Sequence, residues 1–81
     1  MILHIRLFAG AKDLAGADTL TVELTEGATV ADLFTVLCRD QPRLAALLEH
    51  SAVAVNAELA RPDLRLTPND EIALLPPVSG G

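Results

Sequence analysis

The sequence predicts an α+β fold in which one sheet packs on one principal helix. Three observations support this. Two segments near the start alternate apolar and polar residues with a period of two, a central segment repeats its apolar residues with helical spacing, and two further strand-like segments follow. Hydrophobic residues make up 51% of the 81 residues and aromatics only 2%, so the core is expected to be built from Leu, Val, Ile and Ala rather than rings.

Leu3, Ile5 and Leu7 alternate with His4 and Arg6, and Leu20, Val22 and Leu24 alternate with Thr21 and Glu23; both segments read as half-buried strands that pair. Residues 9–16 between them are too long for a tight hairpin and suit one or two helical turns closed by Gly16. Thr29 and Asp32 have capping-box spacing, and Val30, Leu33, Phe34 and Leu37 follow at i, i+3, i+4 and i+7, which predicts the amphipathic main helix. Pro42 suits the first position of a second short helix with Leu44, Leu47 and Leu48 on one face. Residues 52–59 read as a strand, or a tight strand pair around Asn56, and residues 71–75 as the last strand. Pro62, Pro68, Asn69 and Asp70 punctuate the connection, with Asn69 expected in a left-handed turn position. No repeat or interdomain linker interrupts this order, so residues 1–75 are expected to form one domain and residues 76–81 an extended tail.

Charge and composition narrow the function. Eleven acids against six bases give a net charge of -5, which repels phosphate backbones and anionic lipid, so neither nucleic acid nor membrane is an expected partner. Cys38 is the single cysteine and nothing near Met1 resembles a signal peptide; a cytoplasmic protein is expected. His4 and His50 are far apart with no ligand-spaced neighbour, so no metal site is expected. His4 is placed on the solvent face of the first strand and His50 in a loop after the short helix. Cys38 is expected to be a half-buried, inert thiol. No carboxylate pair, triad or phosphate loop is present.

What remains is the end of the sequence. Pro76 and Pro77 favour an extended conformation, and Val78, Ser79, Gly80 and Gly81 taper in bulk, so the segment can project up to about 20 Å and enter a tunnel too narrow for other residue pairs. It would deliver the Gly81 carboxylate, which is unreactive at neutral pH until another protein activates it. Adenylation by ATP would make a mixed anhydride; a sulfur donor would convert this to a thiocarboxylate, and an amine to an amide. Strand alternation turns Phe8 and Leu75 away from the core. With Leu59 they form either an exposed apolar patch at the root of the tail or a second small core beneath a loop.

The segment Asp70-Glu71-Ile72-Ala73-Leu74-Leu75-Pro76-Pro77-Val78-Ser79-Gly80-Gly81 resembles the terminal signature of the small, sulfur-carrier subunits of molybdopterin synthase. Leu7-Phe8-Ala9, Ala15-Gly16, Gly27-Ala28-Thr29-Val30-Ala31-Asp32-Leu33 and Ala54-Val55-Asn56 extend the resemblance along the chain, and the Pro-Pro-Val-Ser spacer separates it from other diglycine proteins. The family often has an aromatic at the positions of Leu74 or Leu75 and Gly at that of Asn69.

The resemblance implies a ubiquitin-like β-grasp fold. It implies that Gly81 is adenylated by an E1-like adenylyltransferase, which uses ATP and magnesium while this chain itself binds no cofactor. A sulfurtransferase then supplies sulfur for a thiocarboxylate. The large subunit of molybdopterin synthase would receive the tail (Pro76, Pro77, Val78, Ser79, Gly80) in its active site and meet Phe8, Leu59 and Leu75. There sulfur would pass to cyclic pyranopterin monophosphate, in a heterotetramer of two small and two large subunits. A sulfur carrier for thiamine or another metabolite, a ubiquitin-like modifier and a plain adaptor are the alternatives.

Overall fold

The computed structural model describes residues 1–75. Strand β1 (Ile2–Leu7), helix α1 (Ala9–Ala15), strand β2 (Thr19–Glu23) and helix α2 (Val30–Asp40) come first. A 3-10 turn (Pro42–Leu44), helix α3 (Ala45–Leu48) and strands β3 (Ala52–Val55), β4 (Glu58–Leu59) and β5 (Ile72–Leu75) follow. The strands form one mixed sheet in the order β2-β1-β5-β3-β4, with β1 and β5 parallel and the other pairs antiparallel. A mixed sheet wrapped around one main helix is the β-grasp arrangement, as the resemblance implied.

Register explains which residues make the core. Leu3 sits opposite Val22, Leu7 opposite Leu74, and Ile72 lies between Ile5 and Val55. All of these side chains are buried, and they share one sheet face because pleating sends alternate residues to the same side. Val30, Leu33 and Leu37 of α2 close over that face, joined by Leu44, Leu48 and Leu66. Phe34 is only half-buried and Phe8 is exposed, so the fully buried core contains no ring, as the composition predicts. Each fully buried aliphatic side chain contributes about 1.5–3 kcal/mol relative to exposure, which is how a chain this short sustains a fold without aromatic bulk.

The N-terminus of α2 illustrates complete backbone accounting. The Thr29 hydroxyl accepts from the Asp32 N–H at 3.3 Å while the Asp32 carboxylate accepts from the Thr29 N–H at 2.9 Å, the predicted capping box. The Val30 N–H donates to the Leu64 carbonyl at 3.0 Å and the Ala31 N–H to the Pro62 carbonyl at 3.0 Å. The connection between β4 and β5 therefore serves as the rest of the cap. At the other end, Pro42 ends the helix by forcing Gln41 out of helical geometry, to φ -129 and ψ 72.

Two expectations are corrected. Cys38 is exposed rather than half-buried: it lies one residue beyond buried Leu37, and 100° of helical rotation carries it off the packed face. Asn69 does not take a left-handed conformation. The connection turns at residues 67–70 through the Asp70 N–H donating to the Thr67 carbonyl, at 3.1 Å, and needs no positive φ. In this half of the chain the left-handed positions fall instead at Asn56 (φ 53) and Ala57 (φ 69), the two-residue turn that joins β3 to β4. Such a turn requires positive φ at both central residues to match the strand twist. Gly16 (φ 71) closes α1 as predicted, its N–H donating to the Lys12 carbonyl at 2.9 Å.

Ala57 carries a Cβ where the backbone favours none. Ala57→Gly is therefore expected to stabilise the fold by about 0.5–1 kcal/mol, relief of the left-handed strain outweighing the greater freedom of glycine in the unfolded chain. Urea denaturation of the two proteins measures this, and a lowered midpoint would contradict it.

Candidate functional site

The face of the sheet turned away from α2 carries Phe8, Leu59 and Leu75 of the predicted site. Phe8 follows Leu7, the last residue of β1, and the backbone turns sharply at Ala9 (φ 50), so the ring projects from the corner where β1 meets α1. Leu75 ends β5; because Leu7 and Leu74 are partners, Phe8 and Leu75 leave the two central strands side by side. Their relative exposures are 42% and 36%.

Leu59 belongs to the same face but stands apart. It pairs with Ala54, and Ala54 with Ala73, so two strand spacings, about 10 Å, separate it from the strand of Leu75. It is 73% exposed. All three side chains are exposed and among the described residues cover no second core, but only Phe8 and Leu75 stand together. The floor between them is made of small side chains, Ala54 and Ala73, and a shallow depression of ≈ 150 Å³ is lined by Arg6, Phe8, Ala54, Ala57, Glu71, Ile72 and Ala73. The alanines and Arg6 were not singled out from sequence. Alternation assigns them to this face, but which strand lies beside which is set by the parallel pairing of β1 with β5.

Asn56 fixes the far side of the face. Its amide oxygen accepts from the Glu71 N–H at 2.9 Å, its N–H donates to the Glu71 carbonyl at 2.8 Å, and its side-chain NH₂ donates to Asp70 at 3.0 Å. The other Asp70 oxygen accepts from the Thr67 N–H at 2.7 Å. This clamp ties the β3–β4 turn to the start of β5. It thereby holds Leu59 in register with the strand that ends at Leu75. The Thr67 N–H is the main reason that the Asp70 carboxyl is held below its usual value; burial opposes it, and the Asn56 amide adds a lesser lowering.

The remaining predicted groups are dispersed. His4 is exposed on β1, its Nδ1 3.2 Å from the Thr21 hydroxyl, and His50 is exposed after α3. Among the described residues no three His, Cys, Asp or Glu side chains gather at metal-binding distance, and no helix is long and apolar enough to cross a membrane. Pro76, Pro77, Val78, Ser79, Gly80 and Gly81 lie outside the described residues.

Comparison with known proteins matches the ThiS family model to residues 5–81. A curated molybdopterin synthase sulfur carrier subunit of Dictyostelium discoideum is 40% identical to this chain over 95% of it and 93% of its own length. The crystal structure of small archaeal modifier protein 1 of Haloferax volcanii is similar with a TM-score of 0.84 and 32% identity, over 95% of this chain and 98% of that one. A chain in the complex of subunits 1 and 2 of the molybdopterin-converting factor from Helicobacter pylori gives a TM-score of 0.72 at 27% identity, with both chains covered completely.

The depressed Asp70 group makes stability depend on pH in a definite direction. Its contribution is complete above the unfolded carboxylate pKa, about 4, and is lost as pH falls through the lower folded value. Asp70→Asn is expected to cost about 1 kcal/mol at neutral pH and to flatten the loss of stability in that acid window. Denaturant midpoints of both proteins as a function of pH test this; parallel curves would contradict it.

Proposed function

The chain belongs to the ThiS family, and on that premise we propose that it is the sulfur-carrier subunit of a molybdopterin synthase. The observation that carries the reading is similarity over nearly the whole length to carriers of that name, in a sequence ending in Pro76-Pro77-Val78-Ser79-Gly80-Gly81. In this reading residues 1–75 are the β-grasp body and residues 76–81 the tail.

The chemistry takes place at the Gly81 carboxylate. It attacks the α-phosphorus of ATP on an E1-like adenylyltransferase, where magnesium assists departure of pyrophosphate, and the acyl-adenylate is formed. A sulfurtransferase supplies the sulfur as a persulfide whose terminal sulfur displaces AMP to give an acyl disulfide, and a thiol reduces that disulfide and releases the thiocarboxylate. Sulfur is the softer, better nucleophile, which suits it to attack the electrophilic carbons of cyclic pyranopterin monophosphate; water then cleaves the resulting thioester, leaving the sulfur on the pterin and returning the Gly81 carboxylate. The large subunit supplies that active site, in a cytoplasmic heterotetramer of two small and two large subunits. Phe8, Leu59 and Leu75 meet the large subunit, and Pro76, Pro77, Val78, Ser79 and Gly80 thread its channel. The H. pylori complex of subunits 1 and 2 supports such a partnership, and the exposure of Phe8 beside Leu75, the last described residue, supports that contact.

A second reading has its own support. The likeness to small archaeal modifier protein 1 favours a protein modifier, in which the same adenylate is attacked by an amine and Gly81 ends in an amide.

Incubation with the adenylyltransferase, ATP and a sulfur source is expected to add the mass difference between sulfur and oxygen, mapped to Gly81. Deletion of Gly81 is expected to abolish this and the formation of molybdopterin while leaving the urea midpoint unchanged. Sulfur transfer by the truncated chain would overturn the carrier reading. Conjugates of higher mass in place of the sulfur adduct, in extract of the native cells, would favour the modifier.

A further inference from the structure

We infer that Arg6 makes binding at the outer sheet face depend on a carboxylate supplied by the partner. The inference rests on the carrier reading and concerns the surface of the large subunit that meets Phe8. Arg6 lies on the outer face of β1, with its Cα partnered by Ala73 of β5 on one side and Thr19 of β2 on the other, so it is inside the sheet rather than at an edge. Its guanidinium carbon is 5.8 Å from the centroid of the Phe8 ring, within cation–π range.

Of the other five cations Lys12, Arg39 and Arg61 are paired locally, while Arg43 and Arg65, like Arg6, have no carboxylate within 4.0 Å among the described residues but do not stand over an aromatic ring. Lys12 pairs with Asp18 at 3.2 Å, Arg39 with Asp40 at 3.1 Å and Arg61 with Asp63 at 3.7 Å. Arg6 has no carboxylate within 4.0 Å among the described residues; Glu71 lines the same depression but stays beyond that distance. The ring holds the guanidinium in place without satisfying its N–H donors.

A partner that covers Phe8 must also cover Arg6. A guanidinium removed from water without an acceptor is costly, whereas a planar carboxylate accepts two of its N–H groups at once. The partner surface that fits therefore has an apolar side chain seated on the floor of Ala54 and Ala73 and an Asp or Glu beside it, reaching Arg6. A chain of net charge -5 is thus recognised at this point through its positive group, and a wholly basic partner surface is rejected here.

The test measures the affinity of the purified large synthase subunit from the same organism for the wild-type chain and for Arg6→Ala, Arg6→Glu, Arg6→Lys and Phe8→Ala. Arg6→Ala is expected to weaken binding roughly tenfold or more, Arg6→Glu further, and Arg6→Lys by an intermediate amount because an ammonium lacks the planar fork. Thermal midpoints should not move, since Arg6 is exposed. Changing the contacted partner Asp or Glu to Lys should restore binding to Arg6→Glu alone. Binding of Arg6→Ala within about twofold of wild type, with Phe8→Ala weakened, would overturn the inference and leave the carrier reading intact. Absence of binding by the wild-type chain would overturn the carrier reading and this inference with it.

Discussion

The parallel pairing of β1 with β5 is the constraint on which the rest of the molecule depends. It places the first and last strands of the body together at the centre of the sheet, flanked by β2 and β3. Parallel neighbours cannot be joined by a hairpin, so the intervening chain must cross the sheet, and α2 is the element that does so while covering the buried face. The ladder carries Ile5, Leu7, Ile72 and Leu74 into the core under α2. By the same alternation it turns Arg6, Phe8, Ala73 and Leu75 outward. One set of backbone hydrogen bonds therefore specifies both the core and the proposed contact face. Leu75, the last described residue, stands beside Phe8 because its strand is central rather than at an edge.

The long connection between β4 and β5 could have been a liability in so small a domain. It is instead bound into the structure at both ends by backbone groups that need partners. Its carbonyls at Pro62 and Leu64 complete the cap of α2, and Leu66 enters the core beneath. At its end Asp70 and Asn56 exchange hydrogen bonds with Thr67 and Glu71. An otherwise irregular segment thereby gains a fixed path, and the β3–β4 turn that carries Leu59 is held against β5. The Asn56 amide acts here much as a backbone unit would, extending the ladder past the point where the strands part.

Charge is distributed unevenly with respect to function. Most acids lie singly on the surface, where each is solvated and worth little to stability, and the exposed ion pairs are of the weak kind. The outer face is different: it has a floor of alanines, an aromatic ring and a cation held against that ring. Small residues in the middle of a sheet add little to the fold, but they leave room for a partner's side chain. Arg6 gives the face a polar requirement that an apolar patch alone would lack.

Much of this architecture was legible in the sequence because it follows from local periodicity and backbone chemistry. The alternation at residues 3–7 separates core from solvent, Thr29 and Asp32 mark the start of α2, Pro42 its end, and Gly16 the close of α1. The outward turn of Phe8 and Leu75 follows from the same period of two. The Pro-Pro-Val-Ser-Gly-Gly segment is read from sequence alone, because it lies outside the described residues. Tertiary structure decided what depends on neighbours distant in the chain. Asn69 and Asn56 are equally able to adopt a left-handed conformation, and only the pairing of Val55 with Glu58 assigns it to Asn56 and Ala57. Cys38 is exposed because the sheet meets α2 along Leu33 and Leu37 and does not extend one residue further. The company of Arg6 with Phe8 and Ala73 is set by strand order, a long-range choice made by burial of Ile5, Leu7, Ile72 and Leu74 and by no local preference of Arg6 itself.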